Sequence, residues 1–151
     1  MIMNNTTLTL KMKRAISELR SGGKVVISDN SLGTSILLMS AELIEKDSVK
    51  KLSDLALSRP NIILSNNRCN AIGIEVNNQP CSILIENNWT MNDILSLCMP
   101  LTGHKTPTIN GVILENNTSI ISYCLLILRQ SRLLPAGLMS IISNISPENI
   151  N

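Results

Sequence analysis

The sequence is almost devoid of aromatic side chains, with one Trp, one Tyr and no Phe among 151 residues. Proteins that bind single-stranded nucleic acid by stacking bases need exposed aromatic rings, so this class of protein is not expected here. Positive charge is not concentrated either, because the 13 Lys and Arg residues are scattered along the chain and are nearly balanced by 11 Asp and Glu residues. A nucleic-acid partner is therefore not predicted.

Long hydrophobic runs and metal-binding cysteine patterns are also missing. The longest apolar stretch, residues 120–128, is interrupted by Ser122 and is far shorter than the ~20 residues that span a bilayer. The N-terminus is too polar for a signal peptide. No CxxC spacing occurs, and the single histidine cannot complete a zinc site with two cysteines. We therefore expect a cytoplasmic protein with no membrane partner, whose cysteines are buried thiols: Cys69, Cys81, Cys98 and Cys124.

Short apolar runs that predict strands alternate with segments of helical periodicity. Hydrophobic residues make up 44% of the chain, enough for one core built from Leu, Ile, Val and Met. Strands are predicted over residues 25–28, 35–40, 61–65, 81–85, 112–114 and 138–143. Helices are predicted over residues 8–19, 49–56, 90–98 and 119–132, and residues 66–80 stay unassigned. This alternation predicts an α/β (α+β) domain, with a mixed, partly parallel β-sheet flanked by helices.

Two of these helices carry signals in their end residues. Thr90 and Asp93 have the spacing of a capping box, which predicts a helix N-terminus at Thr90. The helix over residues 119–132 is apolar nearly all round and is expected to be central and largely buried. Arg129 and Arg132 near its C-terminus suit the helix dipole, and an anion site there is the open alternative.

Four segments of the chain resemble 3,4-dihydroxy-2-butanone 4-phosphate synthase, which makes the four-carbon precursor of riboflavin, and they follow in the same order. They are RAISELRSGGKVVISD (14–29), ILLMSAELI (36–44), TGHKTPTINGVIL (102–114) and LLPAGLMSIISNI (133–145). The resemblance implies the synthase fold for a single domain over residues 11–145, between tails at residues 1–10 and 146–151. It also implies a homodimer with sites near the subunit boundary.

The residues that perform the synthase chemistry are not matched. Catalytic members carry an Arg-Glu-Asn-Glu-Gly-Asp loop after the first strand, whose acids bind magnesium and move protons; here the sequence is SLGTS, residues 31–35. Their second metal ligand, a His in a Gly-His-Thr-Glu string, corresponds to ENNTSII at residues 115–121, which has no His. Magnesium needs carboxylate oxygens, and rearrangement of a sugar phosphate needs an acid–base pair. This chain alone is therefore predicted to be non-catalytic and to bind no cofactor.

Three residues remain as candidates for a site. Asp29 is either an acid kept beside the shortened loop or a turn former at the end of a strand. Glu42 matches the acid of the synthase Ala-Ala-Glu string, or is a surface charge. His104 matches the synthase Pro-Gly-His string, or is a loop histidine with ordinary hydrogen bonds. No other residue is assigned to catalysis, to a cofactor or to a metal.

The resemblance implies a degenerate synthase-like domain of the kind found at the N-terminus of some GTP cyclohydrolase II proteins. In that role it serves dimerisation, or supports a cyclohydrolase catalytic domain in the same chain or in a partner chain. Two alternatives stay open. One is an active synthase, a lyase that acts on ribulose 5-phosphate through an altered site and uses Mg²⁺. The other is an unrelated α/β interaction module.

Overall fold

The computed structural model describes residues 5–29, 33–56, 58–100, 103–114 and 120–144. The helices are α1 (Asn5–Arg20), α2 (Ser48–Leu55), α3 (Asn66–Ala71), α4 (Met91–Cys98) and α5 (Ile120–Gln130). The strands are β1 (Val25–Asp29), β2 (Thr34–Ser40), β3 (Asn61–Leu64), β4 (Cys81–Leu84), β5 (Val112–Leu114) and β6 (Ala136–Asn144). None of the described helices has the length and apolar character needed to cross a membrane.

The strands form one six-stranded sheet in the order β1-β2-β6-β3-β4-β5. Every neighbouring pair is antiparallel, and the last strand lies in the middle of the sheet between β2 and β3. The predicted α+β class is confirmed, but the prediction of a partly parallel sheet is wrong. Alternating helices and strands usually indicate parallel crossovers. Here the segments that join paired strands bring the chain back in the opposite direction.

Helices cover both faces of the sheet, so successive residues of a central strand contribute to two separate hydrophobic clusters. Ile62 and Leu64 of β3 pack on the side of α2, α3 and α4, whereas Ile63 packs on the side of α1 and α5. The alternation follows from the strand period of two, and it explains why β3 is apolar at consecutive positions. All three side chains are fully buried.

Strand β2 and helix α5 both pack closely against β6 at Gly137. A Cβ atom at Gly137 would lie 2.9 Å from the backbone oxygen of Met39 and 3.1 Å from side-chain carbons of Leu38 and Leu128. Only a residue without a side chain lets the strands and the helix pack at this distance. The glycine belongs to the PAG string that carries part of the family resemblance.

Several boundaries differ from the predictions. Helix α1 begins at Asn5, so residues 5–10, assigned above to a tail, are helical; the C-terminal tail at residues 146–151 lies outside the described residues. Helix α3 occupies part of the unassigned segment 66–80, and the Ser65 hydroxyl caps it by accepting a hydrogen bond from the backbone of Arg68. The prediction that the long helix is central and largely buried holds for one face only: α5 buries Cys124 and Leu128, among others, whereas Tyr123 and Leu126 stay almost half exposed.

Candidate functional site

Strands β1 and β2 form a hairpin, and we call its tip the hairpin mouth. In the sequence resemblance, this tip corresponds to the acidic loop of the synthases. Ser28 pairs with Ser35 in the register of the two strands, and their hydroxyl oxygens lie 2.9 Å apart in a hydrogen bond. Gly33, with φ of 65°, supplies the left-handed conformation that the turn requires. Residues 30–32 lie outside the described residues. The described side chains at the mouth include those of Ser28, Thr34 and Ser35, which all carry neutral hydroxyls.

The first candidate, Asp29, is the last residue of β1 and pairs with Thr34. Its side chain lies outside the described part of the structure. The second candidate, Glu42, follows Ser40 at the other end of β2. Because a strand rises about 3.3 Å per residue, roughly 20 Å of β2 separates the two positions. The fold therefore does not bring Asp29 and Glu42 into one site.

Glu42 has a clear structural partner. Its exposed carboxylate accepts a hydrogen bond from the backbone N–H of Leu134 at 3.2 Å, and its own N–H donates to the Ser40 hydroxyl at 3.1 Å. These contacts fasten the chain leaving β2 to the turn that enters β6. The geometry matches the interpretation of Glu42 as a surface charge with a local structural role.

His104 lies in the segment that joins α4 to β5, and this segment returns to the start of α4. Its Nε2 donates to Oδ1 of Asp93 at 3.0 Å, and both side chains are partly buried. The other oxygen of Asp93 accepts from the Thr90 backbone N–H at 2.8 Å, and the Thr90 hydroxyl accepts from the Asp93 N–H at 3.1 Å. The predicted capping box is thus confirmed. Through His104, the same carboxylate anchors the segment between α4 and β5 to the start of α4.

The hydrogen bond from the Thr90 backbone, assisted by His104, keeps the pKa of the Asp93 carboxyl below its ordinary value of 3.8. Asp93 is therefore ionised at neutral pH and acts as an acceptor for both partners. A histidine and a carboxylate in contact also occur in catalytic dyads, where a nucleophile completes the arrangement. Here the hydrogen bonds of the pair join the helix start to the loop, which fits a structural anchor.

The four cysteines are free and buried, which confirms the prediction for them. Contact with the Cys69 thiol and burial raise the pKa of Cys81, and burial raises the pKa of Cys98 to about 12. Such thiols stay protonated at neutral pH and are poor nucleophiles. Among the described residues, no three His, Cys, Asp or Glu side chains are arranged as metal ligands.

This architecture is similar to solved structures of 3,4-dihydroxy-2-butanone 4-phosphate synthase. The synthase of Candida albicans gives a TM-score of 0.63 at 16% identity, over 91% of this chain and 81% of that chain. The chain has the synthase fold. A synthase in complex with two magnesium ions gives 0.64 at 13% identity, over 87% of this chain and 74% of that chain. A two-domain synthase from A. baumannii gives 0.59 at 12% identity, over 87% of this chain and 47% of that chain.

No family model matches the sequence, and the comparison with curated proteins gives no match. The synthase fold is therefore supported by structure, and the function has to be argued from the residues. Magnesium prefers carboxylate and water oxygens. The hydroxyls of Ser28 and Ser35 at the hairpin mouth, already bonded to each other, do not fit such an ion. The segment 115–119, part of the stretch that corresponds to the synthase metal-binding histidine, lies outside the described residues.

Sequence reasoning missed Arg68 altogether. Its guanidinium donates from Nε to the Leu97 carbonyl at 2.8 Å and from Nη2 to the Ser96 carbonyl at 2.9 Å. These acceptors lie 28 and 29 residues away in the chain, so no local pattern could have indicated them. Arg68 thereby joins α3 to the C-terminal turn of α4.

Proposed function

We propose that the chain is a non-catalytic, synthase-like domain of riboflavin biosynthesis that forms a homodimer and supports a GTP cyclohydrolase II catalytic domain. The observation that carries the proposal is the hairpin mouth, where the synthase fold presents the hydroxyl pair of Ser28 and Ser35. Neutral hydroxyls bonded to each other provide neither magnesium ligands nor a general base for rearranging a sugar phosphate. Asp29, the one acid in this part of the sequence, would add a single carboxylate, whereas the synthase loop carries several acids. We place the domain in the cytoplasm, as expected for that pathway.

A groove beside the mouth supports the homodimer. It has a volume of about 420 Å³ between α1, β1 and α5, and its walls include Val26, Ser28 and Tyr123. Tyr123 is 46% exposed, so apolar surface here faces solvent in the single chain. A second copy of the chain would cover this surface, and the resemblance implies an interface close to the mouth. Contiguous exposed apolar patches commonly mark such contacts.

The catalytic part of the proposal is tested with ribulose 5-phosphate and Mg²⁺. We expect no formate release above the buffer blank, measured with a coupled formate assay, while an active synthase measured in parallel releases formate readily. Robust formate release by this chain would refute the non-catalytic assignment and favour the lyase alternative.

The dimer is tested by light scattering of the full chain at micromolar concentration. We expect the mass of a dimer, and we expect Tyr123→Glu in the groove to shift the mass to that of a monomer. Leu55→Glu is the matched control, because Leu55 is 63% exposed on α2, which covers the other face of the sheet. A monomeric wild type, or equal dissociation by both variants, would contradict the proposed interface.

Support of a cyclohydrolase is tested by measuring GTP cyclohydrolase II activity and thermal stability with and without this domain. The two-domain synthase from A. baumannii is a similar structure in which the matched part spans about half the chain, which supports the idea of a domain that works beside another. We expect the cyclohydrolase to be more stable with the domain present. Unchanged stability and activity would argue for an interaction module of another kind.

A further inference from the structure

A cleft opens at the end of the sheet opposite to the hairpin mouth, where β3 ends at Leu64 and β6 begins at Ala136. It has a volume of about 430 Å³ and lies between α3, the C-terminal ends of α4 and α5, and the turn into β6. A smaller pocket of about 190 Å³ adjoins it and shares Ser65 and Arg129 with it. We call the two together the arginine cleft.

The charge of the arginine cleft has one sign. Arg68 and Arg129 both line it, and none of its lining residues is Asp or Glu. The ion pairs among the described residues join Lys50 to Asp54, Lys51 to Asp47 and His104 to Asp93, and neither of the two arginines takes part. Two arginines therefore line one concavity and neither is paired with a described carboxylate; the Glu42 carboxylate, bonded to the backbone of Leu134 in the same wall, is not among their partners.

Arg68 is held in position before any ligand arrives. The carbonyls of Ser96 and Leu97 fix its Nη2 and Nε, and the side chain is half-buried. A guanidinium has further N–H groups, so those on Nη1 remain for another acceptor. Because the rotamer is already fixed, little side-chain entropy is lost when an anion binds.

Arg129 is not needed to complete the end of its own helix. The last turn of α5 is closed by backbone hydrogen bonds from Ser131 to Ile127 and from Leu133 to Leu128. Those bonds occupy carbonyls at the negative end of the helix, which would otherwise disfavour an anion. The guanidinium of Arg129 is left exposed at the rim of the cleft.

We propose that the arginine cleft binds a small organic dianion, with its anionic group between Arg68 and Arg129. Guanidinium groups form strong, charge-assisted hydrogen bonds with phosphate and carboxylate oxygens. The organic part of the ligand lies against the apolar side chains of Met99, Leu134 and Pro135, which also line the cleft. A few polar groups within an apolar concavity are typical of small-molecule sites. The site is independent of the proposed function, since it lies at the other end of the sheet and uses other residues.

The test is isothermal titration of the full chain at low ionic strength with three probes: inorganic phosphate, phenyl phosphate and glutarate. We expect phenyl phosphate to bind more tightly than inorganic phosphate, because its ring reaches the apolar wall. The comparison of phenyl phosphate with glutarate identifies whether a phosphoryl or a dicarboxylate group is preferred. Equal binding of phosphate and phenyl phosphate would overturn the organic part of the proposal, and no binding of any probe would overturn all of it.

Arg129→Gln is the decisive variant, because the side chain is exposed and its loss should leave the fold intact. We expect affinity for the tightest probe to fall about tenfold or more, the usual effect of losing a charged hydrogen bond. Arg132→Gln is the matched control, because Arg132 is also exposed but does not line the cleft. The affinity of this variant for the same probe should stay within about twofold of the wild-type value. An equal loss in both variants would show general charge attraction and refute the site.

Discussion

Removal of the Asp93 carboxylate provides a direct measure of what this side chain does. Its carboxylate accepts a hydrogen bond from the backbone of Thr90 at the start of α4, at 2.8 Å, and one from His104 in the segment between α4 and β5, at 3.0 Å. Asp93→Ala removes both acceptors and a negative charge from the first turn of the helix. Asp93→Asn keeps an oxygen that can accept from the Thr90 backbone but removes the charge.

The expected losses follow from these contacts. Loss of one half of a capping box costs about 1 kcal/mol, loss of the charge at a helix N-terminus about 0.5 kcal/mol, and loss of the partly exposed, charge-assisted hydrogen bond to His104 about 0.5 kcal/mol. We therefore expect Asp93→Ala to lower the free energy of unfolding by about 2 kcal/mol. Asp93→Asn should cost about 1 kcal/mol, because only the charge-dependent contributions disappear.

The effect should depend on pH in a defined direction. The pKa of Asp93 is lowered in the folded chain, first by the hydrogen bond from the Thr90 backbone and then by His104. A group with a lowered folded pKa contributes its full stabilisation above the unfolded value of about 3.8, and loses it as the pH falls through the folded pKa. The difference between wild type and Asp93→Asn should thus shrink in acid.

Urea denaturation followed by circular dichroism, at neutral pH and at several acidic pH values, measures the loss of stability in each variant and its dependence on pH. Asp54→Ala is the control, because Asp54 also pairs with a cation on a helix but is 61% exposed; its loss should cost under about 0.5 kcal/mol. The reasoning fails if the two alanine variants lose equal stability. It also fails if the wild type and Asp93→Asn differ by the same amount at every pH.

Three further outcomes are expected in the same denaturation and labelling assays. Gly137→Ala should lower the free energy of unfolding by about 1–3 kcal/mol, because its Cβ would lie 2.9 Å from a backbone oxygen. Gly111→Ala should lower it far less, because a Cβ there has only an ordinary contact at 3.5 Å. Ser140→Ala should be neutral or stabilising by up to about 1 kcal/mol, because its buried hydroxyl has no hydrogen-bond partner among the described residues; a clear loss would contradict this. The four buried thiols should react with Ellman's reagent only after unfolding, and rapid reaction of the native chain would contradict their burial.

The strands and the capped helix could be predicted from local patterns, because each depends on residues that are close in the chain. The six-residue helix α3 could not, since its sequence NNRCNA buries only Cys69 and so has no apolar periodicity. Strand direction escaped prediction for a different reason. A helix between two strands does not reveal whether the chain returns parallel or antiparallel, and β6 pairs with strands far away in sequence.

The candidate site was predictable only in its composition. The sequence indicated which acids and histidine were present, but not that Asp29 and Glu42 lie at opposite ends of the β1–β2 hairpin or that His104 contacts Asp93. Arg68 and Arg129 are 61 positions apart, and only the packing of α3 and α5 at one end of the sheet places them in a common cleft. Such convergence depends on tertiary structure and has no local signature.

The central position of β6 has a consequence for biosynthesis. The β1–β2 hairpin and the β3–β4–β5 meander touch each other in the sheet only through this strand. Until it emerges from the ribosome, both pieces expose unpaired edges to solvent, and such edges recruit other chains. Folding must therefore wait for late, long-range pairing, which is slow. Nascent chains stalled before β6 should be natural clients of chaperones that shield open sheet edges.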